Sequence, residues 1–287
     1  MGKMQLELSE PVMRTTIFAV ILLFLAGLET LLPRRRCREI RSKRWLTNFS
    51  LIAIDTIAVR VALPLLTITA ADQAAAYGWG GLNQINWPVW LEIIVAIILL
   101  DLVVYAQHAA SHKIPFLWAF HKVHHADRDM DVTTGFRFHP VEILLSAVFK
   151  AVCIFIIGPA AFAVFLFEIL LSSSAMFNHA NLRLPLQVDA YLRRIIVTPD
   201  MHRVHHSAVS SETNSNYGFF LSIWDYLFST YIPQPREGHE NMTVGLHSYQ
   251  NSHPSQLWWC LLVPFLASSR QQAQQREKRS GKTNRLF

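Results

Sequence analysis

The chain has 287 residues, of which 52% are hydrophobic, 11% aromatic and 16% charged, with a net charge of +6. Soluble domains carry about 25% charged residues. With its apolar residues in long runs, this composition excludes a disordered chain, a secreted disulfide scaffold and an ordinary cytosolic enzyme. Three cysteines, Cys37, Cys153 and Cys260, offer neither a disulfide framework nor a metal–thiolate spacing.

The first apolar stretch, residues 15–32, ends at Pro33. A basic run follows it instead of a small-residue cleavage site, so it reads as a span and not a signal peptide. Further stretches of spanning length cover about 46–71 and 89–108. Residues 141–157 and 160–177 are separated only by Gly158-Pro159, a turn signal, and read as a helical hairpin. The run 257–267 is too short to span and contains Pro264, which suits an interfacial segment. The tail 270–287, rich in Gln, Lys and Arg, reads as a solvated, disordered end. The expected fold is an all-α polytopic membrane protein, with four to five transmembrane or hairpin helices and a helical cytoplasmic lobe carrying a His-rich dimetal site. Its expected parts are N-terminal transmembrane helices with a basic loop (1–107), a histidine-box region including the hairpin 141–177 (108–256), and an interfacial segment with a basic tail (257–287).

Seven Lys and Arg crowd residues 33–45. If that loop is cytoplasmic, alternation of spans places 109–140, 180–256 and the tail inside as well. Of the 26 basic residues, 22 then lie inside and only Lys3 and Arg14 outside. Tyr77, Trp79, Trp87 and Trp90 fit an outer aromatic belt. The positive charge is accounted for by topology and attraction to anionic lipid, and no nucleic-acid partner is implied. Compact size and the lack of a recognisable organelle-retention signal lean towards a bacterial inner membrane.

Thirteen histidines form the second anomaly: none lies in the first 107 residues, and ten lie between His108 and His206. His108 and His112 form HxxxH. His121, His124 and His125 form HxxHH, and His202, His205 and His206 repeat it. His139 precedes Pro140, and His179 follows Asn178. On a helix, residues three or four apart share a face, so each triplet is expected to aim its three imidazoles one way. Chance supplies roughly 0.03 such triplets in this length. The proposed spans also bring all these groups to one membrane face. Imidazole suits iron, copper, zinc or nickel, and nine or ten histidines are too many for one ion and enough for two. Two iron ions with open positions for O2 are the economical reading, with zinc able to occupy the same nitrogens. His239, His247 and His253 lack box spacing and read as surface residues.

The ordered boxes resemble the fatty acid hydroxylase/sterol desaturase superfamily of integral-membrane di-iron oxygenases. Arg137-Phe-His-Pro-Val-Glu142 is similar to that family's link before its second membrane hairpin. Thr198-Pro-Asp-Met-His-Arg-Val-His-His206 is similar to its last box, and Asn216-Tyr-Gly218 and Trp224-Asp-Tyr-Leu-Phe228 to the segment after it. The resemblance covers roughly residues 45–233. It implies hydroxylation or desaturation of a fatty acyl, sterol or related lipid, with O2 as co-substrate. It implies as metal ligands His108, His112, His121, His124, His125, His179, His202, His205 and His206, with His139 as ligand or neighbour of one. No dinucleotide fold or cysteine cluster is visible, so a separate ferredoxin, cytochrome or reductase is the expected electron donor.

Asp101, Tyr105, His108 and His112 stand at i, i+4, i+7 and i+11, one helix face. Asp101, or Tyr105 through it, is therefore expected to orient the histidines, the alternative being a polar contact between helices. Lys150 and Glu168 fall at matching depth about the hairpin turn and are expected to pair. Asp55 and Arg60 are a poorer pair, five residues apart. Asp200 and Asp225, near the last box, are candidate acceptors or helix caps. A membrane zinc hydrolase is disfavoured by the absence of HExxH. A metal transporter or sensor is disfavoured because transport sites sit near the midplane.

Overall fold

The computed structural model describes residues 2–63 and 67–266. Its principal helices are α1 (Gly2–Leu31), α2 (Arg41–Ala62), α3 (Thr67–Tyr77), α4 (Val89–Lys113), α5 (Pro115–His125), α6 (Pro140–Ile157), α7 (Ala161–His179), α8 (Leu186–Leu192) and α9 (Pro199–His205). Five helical stretches are long and apolar enough to cross a membrane. The described residues form no β-sheet, only three isolated bridges. A bilayer core offers the backbone no hydrogen-bond partner, so apolar runs must satisfy themselves as helices. Their lipid-facing side chains are large and exposed, among them Leu23, Phe24, Ile57 and Val152.

Proline sets three of the boundaries that matter. Ile114 precedes Pro115 and leaves the helical region, which ends α4 and starts α5. His139-Pro140 opens α6 in the same way, and Thr198-Pro199 opens α9, where the Thr198 hydroxyl caps the Met201 N–H. The expected second span, 46–71, is instead two helices. Leu63, the residue before Pro64, is not helical, and α3 packs separately against α6 and α7; residues 64–66 lie outside the described residues.

The hairpin turns at Gly158, whose φ of +69° is a left-handed conformation. A Cβ there would stand 2.6 Å from the Trp79 carbonyl oxygen, so only glycine fits where the loop after α3 closes over the hairpin tip. The expected Lys150–Glu168 pair does not form; Glu168 pairs with Arg14 of α1, whose guanidinium also lies over the Phe165 ring. Facing a third helix, the carboxylate meets a cation that hairpin arithmetic could not foresee. The short apolar helix 257–266 buries Cys260 and Val263 against Leu51 and Val123. The tail 270–287 lies outside the described residues.

The basic loop 33–45 does more than face a membrane surface. Arg34 pairs with Asp200 and Glu240, Arg35 donates to the His239 and Met242 carbonyls, and the Arg38 N–H donates to Asp129. Arg44 is fully buried; it binds Asp127 through two nitrogens at 2.8 Å and Asp131 at 2.7 Å. Burial works to raise the Asp127 pKa, but the Arg44 charge overrides it and pulls the group down to about 2. The loop therefore staples the first two helices to the histidine-bearing lobe.

Candidate metal centre

Nine histidines meet at one end of the bundle. His108, His112, His121, His125 and His205 form one group and His124, His179, His202 and His206 another. Within each group the candidate ligand nitrogens lie within 4.8 Å of one another. The groups adjoin: the His125 and His206 rings stack with centroids 4.6 Å apart. Four helices supply them, α4, α5, α7 and α9 with its cap.

Each HxxHH triplet divides between the groups. His121 and His125 join the first group and His124 the second; His202 and His206 join the second and His205 the first. The expectation of one shared direction is corrected by helix geometry. At about 100° per residue, positions i and i+4 differ by roughly 40°, while i+3 lies roughly 100° from i+4. Two reciprocal uses of one motif thus link both groups.

The hydrogen bonds on the far side of each ring decide what the inner nitrogens can do. His108 Nδ1 donates to the Tyr217 carbonyl (2.8 Å), His205 Nδ1 to Ser215 (2.7 Å), His179 Nδ1 to Ala175 (2.7 Å) and His124 Nδ1 to Arg137 (3.3 Å). His121 Nδ1 donates to Glu142 at 2.6 Å. A carbonyl cannot donate, so in the neutral rings Nε2 carries a bare lone pair. Yet His108 and His205 Nε2 stand 3.0 Å apart, and His124 and His179 Nε2 stand 3.1 Å apart. Each group thus contains one pair of nitrogens with no proton to place between them. A shared metal cation relieves that repulsion, and the donor set of neutral imidazoles fits iron or zinc. Burial first, and then neighbouring imidazoles, hold His124, His125, His202, His205 and His206 well below the ordinary histidine pKa, in the neutral form that binds metal.

His139 lies apart from both groups. Its Nδ1 accepts from the Val141 N–H and caps α6, and its Nε2 donates to the Leu261 carbonyl at 3.2 Å. The residue before a proline is pushed out of the helix, which turns this ring away from the others. His239 is buried and stands 3.6 Å from Asp200, contrary to its expected surface position, because Asp200 gathers Arg34, Arg203 and His239 together. His247 and His253 are exposed as expected.

Asp101 and Tyr105 touch none of the nine rings with their polar atoms. Asp101 is fully buried and accepts from the Phe220 and Leu221 N–H groups and from Trp224 Nε1 at 2.8 Å. Tyr105 is 2.8 Å from the Thr230 hydroxyl. Asp225 accepts from the Tyr217 and Gly218 N–H groups and from Thr230. Asn216, with φ +50°, bonds the Met201 and Ile232 carbonyls. All four hold the segment 215–230, whose Ser215 and Tyr217 carbonyls orient His205 and His108. Sequence reasoning singled out Asp101 but not the segment that it binds. It also gave no role to Glu142, whose signal was a carboxylate three residues after His139 in the first turn of α6. The two backbone carbonyls have no signature in side-chain identity.

We expect Asp101→Ala to weaken metal binding by about 10- to 100-fold, read as iron lost to a competing chelator. Unchanged iron affinity would show that segment 215–230 holds its place without the carboxylate.

A cavity of about 620 Å³ opens from the first group into the bundle. His108, His121, Phe138 and Met176 line its histidine end, and α1, α2, α4, α6 and α7 all contribute wall residues. α1 and α2 complete the wall beside the hairpin and α4, with Phe136 packed between Phe18 and Phe49.

By fold and site, the chain is an integral-membrane histidine-box protein with two adjoining imidazole groups and a lipid-sized cavity leading to one of them. Residues 93–230 match the sequence model of the fatty acid hydroxylase family, and this match together with the relatives that follow supports the fatty acid hydroxylase/sterol desaturase superfamily. It is 29% identical over 186 residues to the ornithine lipid hydroxylase OlsE of Rhizobium tropici, covering 62% of this chain and 53% of that protein. It is 29% identical over 195 residues to human alkylglycerol monooxygenase (66% and 40%) and 26% over 184 residues to sphinganine C4-monooxygenase 1 of Arabidopsis thaliana (63% and 68%). The chain thus spans about half or less of the length of the first two relatives. No solved structure matches it significantly.

Proposed function

We propose that this protein is an O2-dependent membrane lipid hydroxylase or desaturase in which the nine clustered histidines hold two iron ions. The observation that carries the reading is the pair of proton-free Nε2 contacts, one in each group. The relatives named as hydroxylases and monooxygenases support the reaction class. Iron held by these histidines would supply O2 activation, with two electrons from a separate ferredoxin, cytochrome or reductase and two protons, so that a lipid C–H would gain one oxygen atom with one water formed, or two hydrogens would be lost with two waters formed.

The chain's own residues do the positioning. Glu142 and the carbonyls of Ser215, Tyr217, Ala175 and Arg137 fix which ring nitrogen faces inward. Phe138 stacks on His124 with the planes 8° apart, and Phe219 meets the His108 ring edge-on, which keeps water from the cavity side. The cavity brings an alkyl chain to His108 and His121. The basic loop 33–45 and the histidine lobe lie at the same end of the bundle, which supports a cytoplasmic site; an inner-membrane location in a bacterium remains part of this proposal.

Mass spectrometry of lipids from cells expressing the chain is expected to show a lipid class gaining one oxygen or losing two hydrogens. His205→Ala is expected to abolish it. An unchanged lipid profile at full expression with iron bound would overturn the reading.

A further inference from the structure

Two carboxylates line the cavity with an oxygen each to spare. Glu142, in the first turn of α6, spends Oε1 on His121 Nδ1, and its Oε2 is buried with no partner. Asp55 of α2 is 6% exposed, and its Oδ1 is likewise buried with no partner. α2 packs on α6, and Glu142 is the charged neighbour of Asp55, which sets both at the histidine end. The cations of the cavity do not serve them. Arg14 pairs with Glu168. Lys150 stands eight residues beyond Glu142, about 12 Å along the helix, and Arg60 is exposed. The hydroxyls of the cavity are spent elsewhere: Ser111 and Ser146 donate to Gln107, Thr56 to the Ile52 carbonyl and Ser172 to the Glu168 carbonyl.

An ionised carboxylate only accepts hydrogen bonds. Buried polar atoms are as a rule bonded, and an unpaired acid inside a spanning bundle marks a functional contact. What these two oxygens lack is a donor, and the space open to both is the cavity. We propose that Asp55 Oδ1 and Glu142 Oε2 form an acceptor subsite for the donor headgroup, a primary ammonium or a hydroxyl, of an amphiphile. The headgroup then sits at the histidine end, held by the carboxylate that also orients His121. The alkyl chain runs away from it along the apolar walls. Oxidation therefore falls on a carbon close to the headgroup and not far along the tail. Asp55 bonds no histidine, so its part is to select and place the substrate. The use of the subsite rests on the lipid-oxidising reading, but its binding step needs no metal.

The test is equilibrium binding to the purified full chain in neutral maltoside micelles. The probes are hexadecylamine and hexadecanol, each beside a methylated counterpart that cannot donate, hexadecyltrimethylammonium and methyl hexadecyl ether. The wild type is expected to bind a donor probe about tenfold more tightly than its counterpart. Asp55→Leu should weaken that donor probe about tenfold and leave the ether unchanged. Unchanged ether binding and elution as a single species establish that the variant is folded. Loss confined to hexadecylamine assigns the headgroup as an ammonium, and loss for hexadecanol as well extends it to hydroxyls; both outcomes support the subsite. A proton shared between the two acids would leave every probe bound to Asp55→Leu as to the wild type, which would overturn it. Equal loss of hexadecylamine and hexadecyltrimethylammonium would be a bare charge effect and would overturn it too. Lipid oxygenated only far along its tail would remove this inference alone. Donor preference lost in Asp55→Leu, with no oxygenated lipid in cells, would remove the functional reading alone.

Discussion

His179→Ala is expected to reduce bound iron from two ions to about one per chain and to lower lipid oxidation by at least about a hundredfold, more than the loss of an outer partner costs. His179 is the hub of the second group: the Nε2 atoms of His124, His202 and His206 stand 3.1, 3.0 and 3.2 Å from its own. Its Nδ1 donates to the Ala175 carbonyl, so in the neutral ring the inner nitrogen carries the lone pair that a metal needs. Removing it leaves the three remaining rings facing a void. The first group, built from α4, α5 and His205, keeps all five of its nitrogens. Elemental analysis of the purified variant checks the metal count. His139→Ala is the matched control, since that ring bonds Leu261 and Val141; it is expected to retain both ions. Full iron in His179→Ala, or iron loss in His139→Ala, would show that the ligand set has been drawn wrongly.

Arg44→Met should cost about 3–5 kcal/mol of stability, because it leaves buried carboxylates without their cation. Asp127 and Asp131 are both nearly inaccessible and both bonded to this guanidinium. Lysine is not a substitute, since Arg44 reaches Asp127, Asp131, the Asp129 carbonyl and Thr134 with one planar fork. Thermal unfolding monitored by size exclusion in detergent measures the effect. Loss should extend to the metal site, because Asp127 follows His125 by two residues and the turn 127–134 leads to Arg137. A melting temperature equal to that of the wild type would mean that the carboxylates find water or a proton at little cost.

Much of the chain was legible in advance, and the misses have physical causes. The hairpin about Gly158-Pro159, the short C-terminal apolar helix and the nine box histidines were readable because helix periodicity and turn chemistry are local. The second span was misjudged because the apolar run continues past Leu63, where α2 has already ended. Lys150 and Glu168 were paired by depth, but which neighbour a carboxylate meets depends on a third helix, and α1 brings Arg14 to Glu168. The basic loop was legible as charge and not as structure: the same arginines that mark a membrane side bind Asp127, Asp129, Asp131 and Asp200.

By itself, the sequence determined the membrane class, the one-sided clustering of the histidines and the family, because apolar run length and i, i+3, i+4 spacing are properties of a single helix. Only the tertiary structure decided how the triplets divide between two groups, which nitrogen of each ring faces inward, and that Asp101 binds segment 215–230. Those outcomes depend on which backbone carbonyl lies behind each ring, and the carbonyls of Ser215 and Tyr217 are brought there by long-range packing that no residue type encodes. The same packing gathers α1, α2, α4, α6 and α7 around one cavity, so that charges far apart in the chain become neighbours along the path to His108 and His121.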